Sequence, residues 1–218
     1  MIQSVAPFFK YNFIAIEGNI GAGKTTLAKR LSEDIKARLI LEGFEDNSFL
    51  PKFYEQPDKY AFPLEMSFLA DRYQQLNELA DMPELISSPT ISDYFIDKSL
   101  IFAKTNLQPD ECSLYSRLFG IMTTHLPRPD LIVYLYLEVS QLQKNIHQRG
   151  RDYERLIRDD YLEKIQAGYL NYFRSLSDLK VLLIDTNQFD LAENEKPYTQ
   201  FKEAIGLDYD VGVHRLTI

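Results

Sequence analysis

Five short apolar runs punctuate the chain: Phe13–Glu17, Arg38–Leu41, Thr90–Asp93, Leu131–Leu137 and Val181–Ile184. Several show no polar alternation, the pattern of strands covered on both faces of a parallel sheet. Helical patterns fill the intervals at Lys24–Lys36, about Asn47–Tyr54, Phe62–Leu79, Lys98–Lys104, Pro109–His125, Val139–Gln148, Asp159–Ser175 and Pro197–Ile205. In the third of these, Phe62, Met66, Leu69 and Tyr73 recur at three- and four-residue steps and form one apolar stripe. The alternation predicts a doubly wound, five-stranded parallel sheet flanked by helices, with right-handed crossovers. No repeat, low-complexity tract or linker divides the sequence, so residues 1–218 read as a single domain. The tail from about 207 to 218 carries no firm pattern and fits either an edge strand or a frayed end.

Ligands of such sheets bind beyond the carboxyl ends of the strands. The polar residues to read are therefore those that end or follow strands: Gly18 onward, Glu42, Asp93 and Asp185. After the first strand comes Gly18-Asn19-Ile20-Gly21-Ala22-Gly23-Lys24-Thr25-Thr26, which fits the phosphate-binding pattern G-x-x-x-x-G-K-[ST] at every fixed position. Glycines let such a loop turn its N–H groups inward around an anion. Lys24 is placed to reach the β- and γ-phosphates of a nucleoside triphosphate such as ATP, and the Thr25 hydroxyl to hold Mg²⁺. The following helix adds its positive N-terminal end, and Leu27 and Leu31, four residues apart, give that helix its apolar side.

Charge and composition narrow the partner. The net charge of −8 lacks the basic excess of a nucleic-acid surface and favours a small-molecule substrate. The single cysteine, Cys112, rules out an intrachain disulfide. No apolar run approaches the ~20 residues of a membrane span. Met1 to Asn12 shows no basic start, apolar stretch and cleavage site, so the cytoplasm is the expected compartment. The three histidines are scattered without metal-ligand spacing.

Four places carry candidate chemistry. Glu42 follows the strand Leu39-Ile40-Leu41 and stands at the mouth of the sheet, where a carboxylate can take the proton of an attacking hydroxyl; a solvated loop acid is the bland alternative. Glu65 and Arg72 are seven residues apart on one helix face, which suits two pocket-lining groups and equally a solvated stripe. Asp93 ends Thr90-Ile91-Ser92, at a position for holding Mg²⁺ or for capping the next helix. Arg149-Gly150-Arg151, in a segment of about 149–157, reads as a lid whose arginines close over transferring phosphates, or as a basic helix end that complements the dipole.

Together these residues resemble the deoxynucleoside kinase family. The likeness runs from about Phe13 to Ile184 through Gly18–Thr26, Phe49-Leu50-Pro51-Lys52-Phe53-Tyr54, Phe62–Arg72, Leu100-Ile101-Phe102-Ala103, and Arg149-Gly150-Arg151 with Glu154. The resemblance implies a P-loop nucleoside kinase fold that transfers the γ-phosphoryl of ATP, with Mg²⁺, to the 5′-hydroxyl of a deoxynucleoside in nucleotide salvage. It implies Glu42 as general base, Tyr54 and Glu154 on the 3′-hydroxyl, Arg72 near the base and the catalytic acid, and Arg149 and Arg151 on the phosphates. It also implies a cytoplasmic homodimer, with no membrane or nucleic-acid partner. Similarity to bacterial purine deoxynucleoside kinases points to deoxyadenosine or deoxyguanosine.

Two departures stand out. Glu65 occupies the place where the family usually has a glutamine reading the nucleobase. An ionised carboxylate only accepts hydrogen bonds, so it favours a base rich in donors, unless Glu65 is itself protonated. The family's acid-arginine-serine motif is replaced by Ser92-Asp93-Tyr94, with Asp93 one position out of register and no arginine. A thymidylate-type monophosphate kinase shares the fold but needs basic residues where Glu42 and Glu65 stand. A non-catalytic nucleotide-binding regulator is the alternative from another class.

Overall fold

The protein is described here by a computed structural model covering residues 10–44, 46–80 and 89–218. The leader reading of Met1 to Asn12 falls largely outside those residues. Among the described residues, six parallel strands form one sheet in the order β2-β3-β1-β4-β5-β6. They are β1 (Phe13–Gly18), β2 (Arg38–Ile40), β3 (Thr90–Ser92), β4 (Leu131–Tyr136), β5 (Lys180–Asp185) and β6 (Gly212–Leu216). The helices are α1 (Lys24–Ile35), α2 (Leu50–Glu55), α3 (Pro57–Ala80), α4 (Lys98–Asn106), α5 (Pro109–Thr123), α6 (Val139–Arg149), α7 (Asp159–Ser175) and α8 (Glu195–Ile205).

The continuous apolar strands are explained by burial on both faces. Alternate residues of β1 and β4 point to opposite sides. Ile14, Ile16, Val133 and Leu135 pack with Leu27 of α1, Leu142 of α6 and Phe201 of α8. Ala15, Ile132 and Tyr134 pack on the other face with Tyr169 and Phe173 of α7. A third cluster joins Leu69 and Leu76 of α3 to Tyr94, Tyr115 and Phe119. β1 lies between β3 and β4, which leave it in opposite directions through the sheet. The loop after β1 therefore opens at the point where strand order reverses, the usual ligand crevice of such sheets.

The expected five strands become six. Gly212–Leu216 pairs with β5 in parallel, with Val213 opposite Val181. Its alternating half-buried pattern reflects an edge strand bonded on one side only, which leaves a weak apolar signal. Helix α3 starts at Pro57, five residues before the expected start, because proline fits the first helical turn. Pro63 inside it made the earlier turn hard to read.

Candidate active site

Gly21 and Gly23 show why the loop after β1 needs glycine. Both have left-handed backbones, with φ of 84° and 82°. A Cβ on Gly21 would lie 2.8 Å from the Leu142 carbonyl oxygen. Gly23 is the N-cap of α1 and offers no side chain to its first turn, which also lacks an acid. The first N–H groups of α1 thus face the cleft, where an anion satisfies them. Asn19 braces the loop: its Nδ2 donates to the Leu162 carbonyl at 2.8 Å and its Oδ1 accepts from Ile20 N–H at 2.8 Å. The cleft beyond has a volume of about 1170 Å³ and is lined by Gly21–Thr26, Glu42, Arg149 and Arg151 among others.

Lys24 points back along its own loop and donates to the Asn19 carbonyl at 2.9 Å. Burial lowers its pKa to about 8, helped by the nearby Lys98 charge and opposed by Glu17, Glu42 and Asp93. Thr25 Oγ1 donates to Asp93 Oδ2 at 2.5 Å, and Asp93 Oδ1 accepts the Glu42 backbone N–H at 2.7 Å. Asp93 therefore caps no helix; it ties the phosphate loop to the segment after β2. The two oxygen donors stand side by side. Mg²⁺ needs only one or two protein oxygens when substrate phosphates and water complete its shell, so the pair fits that ion. Among the described residues, no cluster of three or more His, Cys, Asp or Glu side chains is gathered for a metal.

Glu42 is held from two sides. Arg72 donates to its Oε1 through Nε at 2.9 Å and Nη2 at 2.6 Å, and Lys98 donates to Oε2 at 2.6 Å. Burial pushes this carboxyl up, but the Lys98 and Arg72 charges overcome it and hold the pKa at about 2. Arg72 is only 3 % exposed and also donates to Ser99 Oγ at 2.7 Å. The solvated-stripe alternative for Glu65 and Arg72 is thereby excluded. Glu65 is 2 % exposed, its Oε1 accepts from Asn106 Nδ2 at 2.7 Å, and its Oε2 has no partner. Burial raises its pKa to about 7, against the pull of Asn106 and Arg72.

The segment expected to form a lid leaves α6 through Gly150, whose φ is 72°, and continues in a 3₁₀ turn at Asp152–Leu156. Arg149 grips Glu154 with two bonds, Nε to Oε2 at 3.0 Å and Nη2 to Oε1 at 2.7 Å. Arg151 donates to the same Oε1 at 3.2 Å, and its guanidinium lies 4.1 Å above the Phe44 ring. Tyr54 stacks on Tyr153 at 6.1 Å and lines one pocket with Glu42, Glu65, Arg72 and Glu154. Asp185 stays apart: it accepts from Asn187 in a turn and lines neither cleft nor inner pocket.

The deoxynucleoside kinase family model matches residues 14–207. The chain belongs to the deoxynucleoside kinase family. It is 38% identical over 190 residues to a deoxyguanosine kinase of Bacillus subtilis, covering 85% of this chain and 92% of that one. A deoxyadenosine kinase of Dictyostelium discoideum is 31% identical over 182 residues, covering 81% and 73% of the two chains. The fold also matches the structure of deoxyadenosine kinase from M. mycoides with bound dATP, with a TM-score of 0.75, 22% identity, and coverage of 87% and 98%. The matched family region ends before β6, so the sixth strand lies outside it.

Three polar groups of this deoxynucleoside kinase, two of them buried and one half-buried, were not singled out from sequence. Glu17, next to the last residue of β1, accepts from Phe95 N–H at 2.8 Å and from the Tyr169 hydroxyl at 2.8 Å, and burial raises its pKa. Asn106 holds Glu65, as given above. Lys98 reaches Glu42 where the expected arginine is missing; Tyr94 at that position is buried and donates to Gln75 Oε1 at 2.7 Å. A carboxylate inside an apolar strand and a lysine at the first residue of a helix, opposed to its dipole, were the available signals.

Proposed function

We propose that this protein transfers the γ-phosphoryl group of ATP to the 5′-hydroxyl of a purine deoxynucleoside, as a cytoplasmic homodimer in nucleotide salvage. The observation that carries the reading is the position of Glu42: an anionic carboxylate between the phosphate loop and the pocket lined by Tyr54, Glu65 and Glu154. A carboxylate there accepts the hydroxyl proton as the oxygen attacks phosphorus. Lys24 and the first N–H groups of α1 hold the β- and γ-phosphates. Thr25 and Asp93 would hold Mg²⁺, which neutralises phosphate charge when bound. Arg149 and Arg151 come over the transferring group from the lid, and Tyr54 with Glu154 take the 3′-hydroxyl. Positioning and charge neutralisation supply most of the rate in such transfers.

Purine preference is supported by Glu65. The free Oε2 of an ionised Glu65 accepts an N–H, and a guanine edge presents N–H donors at both N1 and N2. With a proton of its own, Glu65 donates to N1 of adenine while its other oxygen accepts from the exocyclic amine. The test is a panel of nucleosides and nucleoside monophosphates incubated with the protein, ATP and Mg²⁺. Monophosphates formed from purine deoxynucleosides support the reading. Diphosphates formed from monophosphates indicate a thymidylate-type kinase, and no product from any acceptor indicates a regulator.

A further inference from the structure

The pairing around Glu42 leaves room for one more donor. A carboxylate offers about four lone-pair positions. Arg72 Nε and Nη2 fill both on Oε1, and Lys98 Nζ fills one on Oε2. The position left open is on Oε2, beside Lys98. We propose that Lys98 is a positioning residue that pins Oε2 of Glu42, making that oxygen the atom that receives the proton of the attacking hydroxyl.

Lys98 is poorly explained as a stabiliser of its own helix. It is the first residue of α4, where a cation opposes the helix dipole, and it is 5 % exposed. Its Nζ lies over the ring of Phe102 one turn on, 5.5 Å from the centroid, and both residues line the pocket. Arg72 alone leaves Oε2 without a charged partner. With Lys98 in place, both oxygens are fixed, and the carboxylate plane is set from α3 and α4 together. The other charged groups lining this pocket are Lys24 of the phosphate loop, Asp93 after β3, Glu65 of α3, and Arg149, Arg151 and Glu154 of the lid; Glu17 of β1 lies within electrostatic reach of Lys98.

The step balances simply. The nucleoside O–H bond breaks and its proton goes to Oε2. The oxygen bonds to the γ-phosphorus as the bond from that phosphorus to the bridging oxygen breaks, and its electron pair leaves with ADP. Lys98 keeps its own proton throughout.

The inference rests on Glu42 as the base, so the test is a double-mutant cycle that separates kcat from KM. Lys98→Met is expected to lower kcat about tenfold or more, a share of what base catalysis contributes. Its KM for ATP stays unchanged, so the loss falls on kcat alone. In a Glu42→Gln background, Lys98→Met is expected to cost almost nothing further. An equal loss in both backgrounds, or a loss confined to the KM for ATP with kcat unchanged, overturns the role of Lys98 while leaving Glu42 as the base. An unchanged kcat in Glu42→Gln alone overturns both. Where Lys98→Met does not fold by thermal melting, Lys98→Gln removes the charge but keeps a donor, and the same two readouts decide.

Discussion

Arg72 clasps one oxygen of Glu42 with two of its nitrogens, at 2.9 and 2.6 Å, and leaves the other oxygen to a different cation. This forked contact depends on the planar guanidinium. Its Nη1 is occupied by Ser99, so the whole head group is fixed. Arg72→Lys is therefore not conservative. It keeps the charge but reaches Glu42 and Ser99 with one flexible point. The expected result is a loss of kcat of about tenfold or more with the fold intact. Arg72→Met, which leaves Glu42 buried with Lys98 alone, is expected to cost about 3–5 kcal/mol in urea unfolding. Wild-type kcat in Arg72→Lys would remove Arg72 from the positioning of Glu42.

Glu42→Gln keeps the shape of the side chain and loses the proton acceptor. Its kcat should fall by about 10²-fold or more while ATP binding, measured by calorimetry, stays near wild type. Equal turnover in the two proteins would assign the base elsewhere.

The proposed lid makes a separate prediction. Arg149 and Arg151 share Glu154 in this structure. Removing one leaves the other still anchored. Arg149→Ala and Arg151→Ala should each lower kcat by about 10²-fold or more, the scale of an arginine that meets developing charge on a phosphoryl group. The KM for nucleoside should change less, unless the 3′-hydroxyl contact of Glu154 is disturbed too. Full activity in both variants would return the segment to the status of a basic helix end.

Glu65 ties stability to pH. Its carboxyl is raised from an ordinary 4.5 to about 7, by burial first. The folded protein thus keeps this proton where the unfolded chain has released it. The stabilisation is fully present below pH 4.5 and is lost as pH rises through 7, by about 3 kcal/mol. Glu42 acts the other way: with a folded value near 2, its stabilisation is present above 4.5 and is lost as pH falls towards 2. Between pH 5 and 8 only the Glu65 effect operates of these two. Urea unfolding of Glu65→Gln should therefore fall less across that range than the wild type. The same variant should shift base preference from guanine towards adenine. Parallel stability curves, together with an identical substrate profile, would exclude Glu65 from both effects.

Much of this was legible in the sequence. The phosphate loop declared itself because its glycines answer to backbone geometry, as Gly21 and Gly23 show. Buried parallel strands declared themselves by unbroken apolar runs. Glu42, Arg72, Asp93 and Glu154 were readable from position and kinship, as was the nearness of Arg72 to Glu42, though their other partners were not. Long-range pairings such as Lys98 with Glu42 or Thr25 with Asp93 join residues 56 and 68 positions apart, and no local pattern encodes them. The sixth strand stayed open between an edge strand and a frayed end because His214 and Arg215 interrupt its apolar residues at an edge that needs only one covered face. Glu65 was recognised as a departure, but its burial and its free oxygen emerge only once α3 and Asn106 are packed together.

The most direct test of the account is the site of phosphorylation. Deoxyguanosine, ATP and Mg²⁺ are incubated with the protein and the product is read by proton-coupled phosphorus NMR. A phosphate on the 5′-oxygen couples to two methylene protons and gives a triplet, the result expected if Glu42 activates that hydroxyl. A doublet from a 3′-phosphate, or ATP consumed with no nucleotide formed from the nucleoside, would contradict the assignment of Glu42 and of the pocket beside it.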